Sequence, residues 1–414
     1  AEKIVSPGVF TNEIDQSFIP AAIGELGAAI VGPTVKGPVL TPTVVSSFNE
    51  YAAIFGDVIE SGSDKYQYLT SHTAQEYLRQ GGPLTIVRVA DADVSRATAT
   101  IGKNSNAAGA TELFTLEVLG DGPNFNNTSS VGTDNLIVPL TSSVSNNHFS
   151  SGSFGGRPDN VRYEIAARNL EKGTFTLLIR AGNDTVKRKQ ILETHANLSL
   201  DPESNDYILK RIGNTTNTIA VEQGLAYLQP VGEYPNKSKF VRVSNFPDTS
   251  KTPNYLDDNG NVTSRYGTPA DFYPAVGSGS FNGTFDGGDF GQELIHPFGF
   301  YENISATNSQ GVKMVDSSVA VSTSAVGGGY RTALSMLTNQ DEYNFNLLFL
   351  PGVVDGLANH SAVITAAVDV CESRTDCFLV LDSSSKTDSV AAVTTVAKGR
   401  NSSYAATYYP WVQV

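Results

Sequence analysis

The sequence predicts an α/β architecture combined with a β-rich unit, on three observations. Residues 344–414 alternate short apolar runs with amphipathic segments at helical spacing. The middle of the chain carries short alternating runs broken by turn residues. A length of 414 residues exceeds what one ordinary core organises, so two or three domains are expected.

In chain order, residues 1–20 alternate weakly through Val9, Phe10 and Ile14 and hold little that could bury itself. Taken alone, such a stretch reads as a frayed terminus. Residues 21–96 form the first part of an α/β core. GAAIVG, at 27–32, has the composition of a buried strand, and Gly32-Pro33 with Gly37-Pro38 brackets a turn. Ser47 and Glu50 make a capping box for a helix over 48–55, which Gly56 stops. Asp64 is placed to cap a helix over 65–80 with Leu69, Tyr77 and Leu78 inward, closed by Gly81-Gly82. LTIVRVA, at 84–90, follows as a strand.

From residue 97 the texture changes. Runs at 113–119, 135–140, 161–167, 174–179 and 208–212 read as strands of a β-sandwich inserted over 97–243. Residues 244–324 are rich in Gly, Asp, Asn and Pro and read as an irregular, loop-rich insertion. Phe272, Tyr273, Phe281, Phe290, Phe298, Phe300 and Tyr301 are too many aromatics for a disordered segment, so an ordered, irregular surface excursion is expected.

Residues 325–414 complete the α/β core. A helix over 330–337 leads to the strand NFNLLFL, at 344–350, which Pro351-Gly352 is expected to stop. Ala362, Val363, Ala366, Ala367, Val370 and Cys371 mark a helix over 360–374, with Asn359 as its cap. CFLVL, at 377–381, is a second strand. A helix opening at Ser385, with Asp388 in its first turn, runs through Val390, Val393 and Ala397 to Gly399, and 404–414 is a third strand-like run. This βαβαβ order predicts a parallel sheet covered on both faces, with right-handed crossovers.

Composition narrows the functional classes. A formal charge of -14, from 42 acidic and 28 basic residues, argues against nucleic acid, whose phosphates need Lys and Arg. The same charge disfavours anionic membrane surfaces, and no apolar run approaches the roughly 20 residues of a membrane helix. Residues 1–15 lack the pattern of a secretory signal, so the Asn126, Asn214 and Asn282 sequons carry no meaning. Cys371 and Cys377 read as a reduced pair.

Chemistry is conceivable at the carboxyl ends of the C-terminal strands, where open parallel sheets bind ligands. Asp355 follows the first strand, Asp382 and Ser383 follow the second, and His360 opens the helix between them. No G-x-S-x-G elbow surrounds Ser383, Ser384 or Ser385, and capping or turn formation accounts for these residues. Gly327-Gly328-Gly329 fails the spacing of a nucleotide loop. The five histidines (His72, His148, His195, His296 and His360) are scattered without metal-ligand spacing. Asp257, Asn259 and Asn261 imitate a calcium loop, but Gly260 is misplaced and Thr268 stands where a bidentate Glu belongs, so an ordinary turn is expected. Tyr404, Tyr408, Tyr409 and Trp411 have only Lys398 and Arg400 nearby, which favours core packing over base stacking.

NLLFLPG, CFLVLDSSS and SSYAATYYPWVQV, spaced by helices, resemble the core α/β domain of contractile bacteriophage (myovirus, T4-like) tail sheath proteins. SPGVFTNEID is similar to that family's N-terminal PGV-(Tyr/Phe)-x-x-E-I signature, and AAIVGPTVKGP to its Gly-Pro-x-x-x-Gly-Pro turn. FNEYAAIFGD resembles its short helix ending in Phe-Gly, and ETHANLSLDPES a segment of its β-rich domain. The resemblance implies a subtilisin-like or Rossmann-like α/β domain, an inserted β-sandwich and an extended terminal arm. It turns residues 1–20 from a frayed end into that arm, with Val9, Phe10, Thr11, Asn12, Glu13 and Ile14 pairing as a strand with a neighbouring subunit. Twenty extended residues span at most about 65 Å, enough to cross a neighbour.

The implied function is structural and non-enzymatic. Subunits would polymerise with themselves around a tail tube protein, between baseplate and tail terminator proteins, and contract to drive the tube through the host envelope. The setting would be the virion tail, after assembly in the host cytoplasm. No cofactor, nucleic acid or membrane insertion is implied. Two other classes stand beside this one: a hydrolase using Asp355, His360 and Asp382, and a receptor- or glycan-binding virion protein using the aromatics of 272–301. Family members continue past the Tyr-Tyr-Pro-Trp-Val strand, so the 414 residues are expected to be a fragment or the ordered part of a longer protein. Without the C-terminal arm and last domain, such a fragment is expected to be monomeric.

Overall fold

The computed structural model describes residues 27–61, 64–90, 94–103, 111–122, 125–126, 129–131, 137–139, 160–184, 187–279, 283–288, 304–310, 312–314 and 329–411. The N-terminal part contains β1 (Ala28–Gly32), β2 (Thr43–Val45), α1 (Phe48–Phe55), β3 (Val58–Ser61), β4 (Asp64–Gln67), α2 (Leu69–Gln80) and β5 (Leu84–Arg88). The middle contains β6 (Arg96–Gly102), β7 (Glu112–Asp121), β8 (Ser129–Val131), β9 (Ile137–Pro139), β10 (Val161–Asn169), β11 (Thr174–Ala181) and β12 (Ile191–Ser199). It continues with α3 (Ile208–Ile212), β13 (Thr216–Glu222), β14 (Leu225–Val231) and β15 (Val241–Asn245). The C-terminal part contains β16 (Asn308–Ser309), β17 (Val312–Lys313), α4 (Gly329–Met336), β18 (Leu347–Val354), α5 (Ala358–Arg374), β19 (Phe378–Asp382), α6 (Val390–Gly399) and β20 (Ala405–Thr407).

Strands from both ends of the chain share one six-stranded sheet in the order β2-β5-β1-β18-β19-β20. All neighbours are parallel except the β2 edge, and the two halves meet where Ala28 faces Leu347 and Ile30 faces Phe349. Side chains alternate across this sheet with the strand period of two. Ala29, Val31, Leu348, Leu350, Leu379 and Leu381 face α4 and α5 in one core. Ala28, Ile30, Leu84 and Ile86 join Tyr51, Phe55 and Ala74 of α1 and α2 in another, with Leu347 and Phe349 packed against it.

The middle of the chain builds its own core. The antiparallel sheets β15-β7-β6 and β10-β11-β12 contribute to one apolar cluster, in which Phe114 and Phe175 stack at 5.9 Å. Tyr255, Tyr266, Tyr273 and Phe285 belong to the same cluster, so the described part of 244–288 is not a surface excursion: its aromatics pack into the second core. It also covers two sheet edges. Thr98 and Asp286 exchange backbone bonds at 2.8 and 2.9 Å, and Ile165 and Gly277 do the same at 2.8 Å each. Covered edges cannot recruit foreign strands. Gly283 makes the approach possible, because a Cβ there would lie 1.9 Å from the Tyr163 carbonyl oxygen.

Several local expectations are corrected. Asp64 caps no helix: residues 64–67 are β4, paired with β3, and α2 begins after Tyr68 without a side-chain cap. The run at 208–212 is helix α3, with Ile208, Leu209 and Ile212 buried at helical spacing. Five apolar-rich residues do not distinguish strand from helix, and the packing decided it. Pro351-Gly352 does not stop β18, which runs on to Val354 across a register shift. A proline is tolerated at such an irregularity because no ladder bond is asked of its nitrogen. Asn359 lies within α5, whose cap position is Leu357. Helix α6 starts four residues later than expected, with Ser389 accepting from the Ala392 N–H at 3.3 Å. The Ser47 and Glu50 box is present in a shifted form. Ser47 accepts the Glu50 N–H, and the Glu50 carboxylate reaches back to Ser46.

Candidate functional site

The carboxyl ends of β18 and β19 collect the polar residues singled out in the sequence, and the scaffold occupies nearly all of them. Asp355 donates its N–H to the Asp382 carbonyl at 2.8 Å. Its carboxylate is held by the Arg400 guanidinium, Nε to Oδ2 at 2.8 Å and Nη2 to Oδ1. Arg400 also donates to Thr365 Oγ1 at 2.7 Å and Ser361 Oγ at 2.9 Å, which ties the end of α6 to α5. Such a bidentate pair fixes geometry as well as charge.

His360 is fully buried. Its Nδ1 accepts the Val354 N–H at 3.0 Å, while Nε2 faces the Ser305 carbonyl at 2.7 Å and the Asn308 carbonyl at 3.2 Å. An acceptor bond on one nitrogen and carbonyls on the other assign the proton to Nε2. Burial pushes the imidazole below its ordinary range, against the two carbonyls that favour its charge. The ring is therefore a neutral strut pinning 305–308 to the end of β18.

The serines are engaged as well. Ser383 Oγ accepts from Thr407 Oγ1 at 2.8 Å, the Ser384 carbonyl accepts from Trp411 Nε1 at 2.9 Å, and the Ser385 N–H donates to Asp388 at 2.8 Å. A Ser/His/Asp relay needs a base reaching a nucleophile and a third group orienting that base. Here the base contacts only main chain and Asp355 serves Arg400, so the conceivable grouping is not assembled.

Asp382 differs from its neighbours. Burial raises its carboxyl to about 6, partly offset by a hydrogen bond from the Gly352 backbone. It lines a cleft of about 280 Å³ with Leu69, Thr73, Phe349, Pro351, Tyr408 and Trp411. Gly352 has φ +80°, and a Cβ on it would lie 2.5 Å from Gln310 Nε2. The turn at this position needs glycine.

Other sequence-level candidates resolve plainly. Asp257 Oδ1 accepts the N–H groups of Asn259 and Asn261 at 2.9 and 2.8 Å, an ordinary Asx turn. Among the described residues, no group of three or more His, Cys, Asp or Glu side chains could hold a metal. Also among them, no helix is long and apolar enough to cross a membrane. Cys371 and Cys377 are free and buried, with sulfurs 3.3 Å apart. Tyr273 is buried in the second core, while Phe281, Phe290, Phe298, Phe300 and Tyr301 lie outside the described residues. The C-terminal aromatics are not uniformly core: Tyr408 is 74% exposed and Tyr409 is also exposed. The strand-pairing residues Val9, Phe10, Thr11, Asn12, Glu13 and Ile14 lie outside the described residues.

Among the described residues, β12 and β20 each have a strand neighbour on one side only. Ile191 and Leu192 on β12, with Leu225, Tyr227 and Val231 on β14, are exposed apolar side chains. Sequence reasoning did not single out these surfaces. The available signal was apolar residues at outward-facing positions of short strands, which becomes readable only once the register is known.

No family model matches the sequence, and no curated protein matches it. Among solved structures, the chain is similar to a sheath tail protein from Desulfitobacterium hafniense. The identity is 11% and the TM-score 0.40, over 97% of this chain and 56% of that one. It is also similar to a sheath tail protein from Listeria innocua, with 8% identity and a TM-score of 0.39 over 86% of this chain and 48% of that one. The chain spans about half the length of these two proteins.

Proposed function

We propose that this chain is a structural subunit of a contractile bacteriophage tail sheath, with no catalytic role. The observation that carries the reading is where the sheath-like segments fall. GPTVKGP follows β1, FNEYAAIFGD contains α1, NLLFLPG belongs to β18, CFLVLDSSS contains β19 and YAATYYPW contains β20. Segments from opposite ends of the chain thus lie on one sheet and the helix packed against it. In this reading the two cores are a subtilisin-like or Rossmann-like α/β domain and a β-sandwich inserted into it. The engagement of Asp355, His360 and the serines by scaffold contacts supports a non-enzymatic reading over a hydrolase.

In this proposal the working surfaces are strand edges. The one-sided strands β12 and β20 offer main-chain donors and acceptors to an arm such as residues 9–14 of a neighbouring copy. Heterologous contacts of that kind need not close, so they generate stacked rings or a helix around a tail tube protein, between baseplate and terminator proteins. Contraction would exchange one packing of rigid subunits for another, driving the tube through the host envelope, without a cofactor. The setting is the virion tail, after assembly in the host cytoplasm.

Negative-stain imaging of the full-length gene product tests this. Rings or regular tubes are expected. A product that stays monomeric across salt and concentration, while showing esterase, protease or nucleotidase activity that Asp382→Ala abolishes, would overturn it.

A further inference from the structure

The cleft beside Asp382 presents a carboxylate to which the described residues bring no cation. It lies beyond the carboxyl ends of β18 and β19, on the side of the sheet where α2 packs. Helices α1 and α2 cover β5, β1 and β18 on that side, but Val380 of β19 stays only half-buried there. Leu379 and Leu381, the alternate residues of the same strand, are sealed in the opposite core. The sheet thus leaves one side of its C-terminal half as the wall of the cleft.

Three properties define what fits. At about 280 Å³ the cleft lies at or below the floor of the roughly 300–1,000 Å³ range of small-molecule sites, so it matches one long side chain better than a nucleotide. Among the described residues Asp382 is the one charged group lining it, which disfavours anionic groups. Phe349, Tyr408 and Trp411 line it too, and the faces of such rings attract cations. The Trp411 indole N–H is already committed to the Ser384 carbonyl, which anchors that ring at the wall.

A carboxylate withdrawn from water gains from a partner of opposite charge. Among the described residues no ion pair reaches Asp382, whose carboxylate opens on the cleft. We propose that the cleft receives a lysine or arginine side chain from another protein chain, its charged head paired with Asp382 and its methylenes lying along Phe349, Tyr408 and Trp411. Long basic side chains are suited to this, since their stems bury on apolar surface while the head stays polar. The inference stands independently of the sheath reading.

Trp411 is the single tryptophan of the chain and so reports the cleft directly. Its fluorescence is to be followed while the 414-residue protein is titrated with N-acetyl-lysine methylamide and N-acetyl-arginine methylamide. The uncharged N-acetyl-norleucine methylamide and N-acetyl-citrulline methylamide serve as controls. The basic probes are expected to saturate the signal about tenfold more tightly than the neutral ones, and Asp382→Asn is expected to abolish that preference. Equal responses to basic and neutral probes, an unchanged preference in Asp382→Asn, or no saturable response to any probe would each overturn the proposal. Should Asp382→Asn fail to fold, Tyr408→Leu decides, because the Tyr408 ring is exposed and its loss leaves the core intact. A weakened preference for the basic probes then supports the cleft, and an undiminished one refutes it.

Discussion

Gln310 Nε2 donates to the Pro351 carbonyl at 2.6 Å, joining a loop remote in sequence to the irregular stretch of β18. The same side chain accepts the Leu69 N–H at 2.8 Å and so caps α2, whose own cap position, Tyr68, offers no side-chain bond. One buried amide therefore satisfies a helix terminus and a strand carbonyl together.

Gln310→Ala leaves both main-chain groups without that partner. With each orphaned group costing about 1–3 kcal/mol, a loss of roughly 2–6 kcal/mol is expected. Urea unfolding followed by circular dichroism measures it, and a loss below about 1 kcal/mol would show that the Leu69 and Pro351 groups find other partners.

Asp355→Ala breaks the guanidinium pair that joins the end of α6 to the turn after β18. Because Arg400 is partly exposed, the cost should fall below the 3–5 kcal/mol of fully buried pairs, at about 1–3 kcal/mol. The thermal midpoint should drop accordingly. Any background esterase activity should be the same in Asp355→Ala, His360→Asn and the parent chain.

His360 makes stability fall in acid. Its folded-state pKa is depressed by burial, so between that value and the unfolded value of about 6.5 the unfolded chain binds more protons. Its contribution is complete above about pH 6.5 and is lost as pH falls toward the folded value. The urea midpoint should decline from pH 7.5 to pH 5.5, and the His360→Asn variant should show a shallower decline.

Asp382 acts with the opposite sign. Its carboxyl, raised to about 6, holds a proton in the folded state that the unfolded chain has already released. Stability from this group is therefore greatest below about pH 4 and declines as pH rises to about 6, beyond which it is constant. At pH 8 Asp382→Asn should be more stable than the parent by about 1–2 kcal/mol, an advantage that disappears by pH 4. Paired urea titrations at the two pH values check it; a variant destabilised at pH 8 would show that the carboxylate has a cation beside it.

Much of the central sheet was legible because β1, β5, β18 and β19 are apolar runs at strand length. Periodicity carries that information directly. Residues 244–288 were opaque for a physical reason. Beside local turns, the bonds that dock them go to Thr98, Tyr163 and Ile165 on strands far away in the chain, and no local pattern encodes such partners. The candidate site was half legible. Asp355, His360 and Asp382 could be placed at strand ends, but Arg400 stands 45 residues from Asp355, and Ser305 stands 55 from His360. The cleft around Asp382 was not visible, since its walls come from α2, β18, β19 and the residues after β20.

By itself, the sequence determined which segments are apolar enough to be buried and which residues sit at the ends of the C-terminal strands. Only the tertiary structure decided which of those polar groups are satisfied and which are left to meet something else. A buried donor or charge is settled by whatever the fold brings within about 3 Å of it; for Asp355 that is Arg400 and for His360 two carbonyls, whereas Asp382 faces an open cleft.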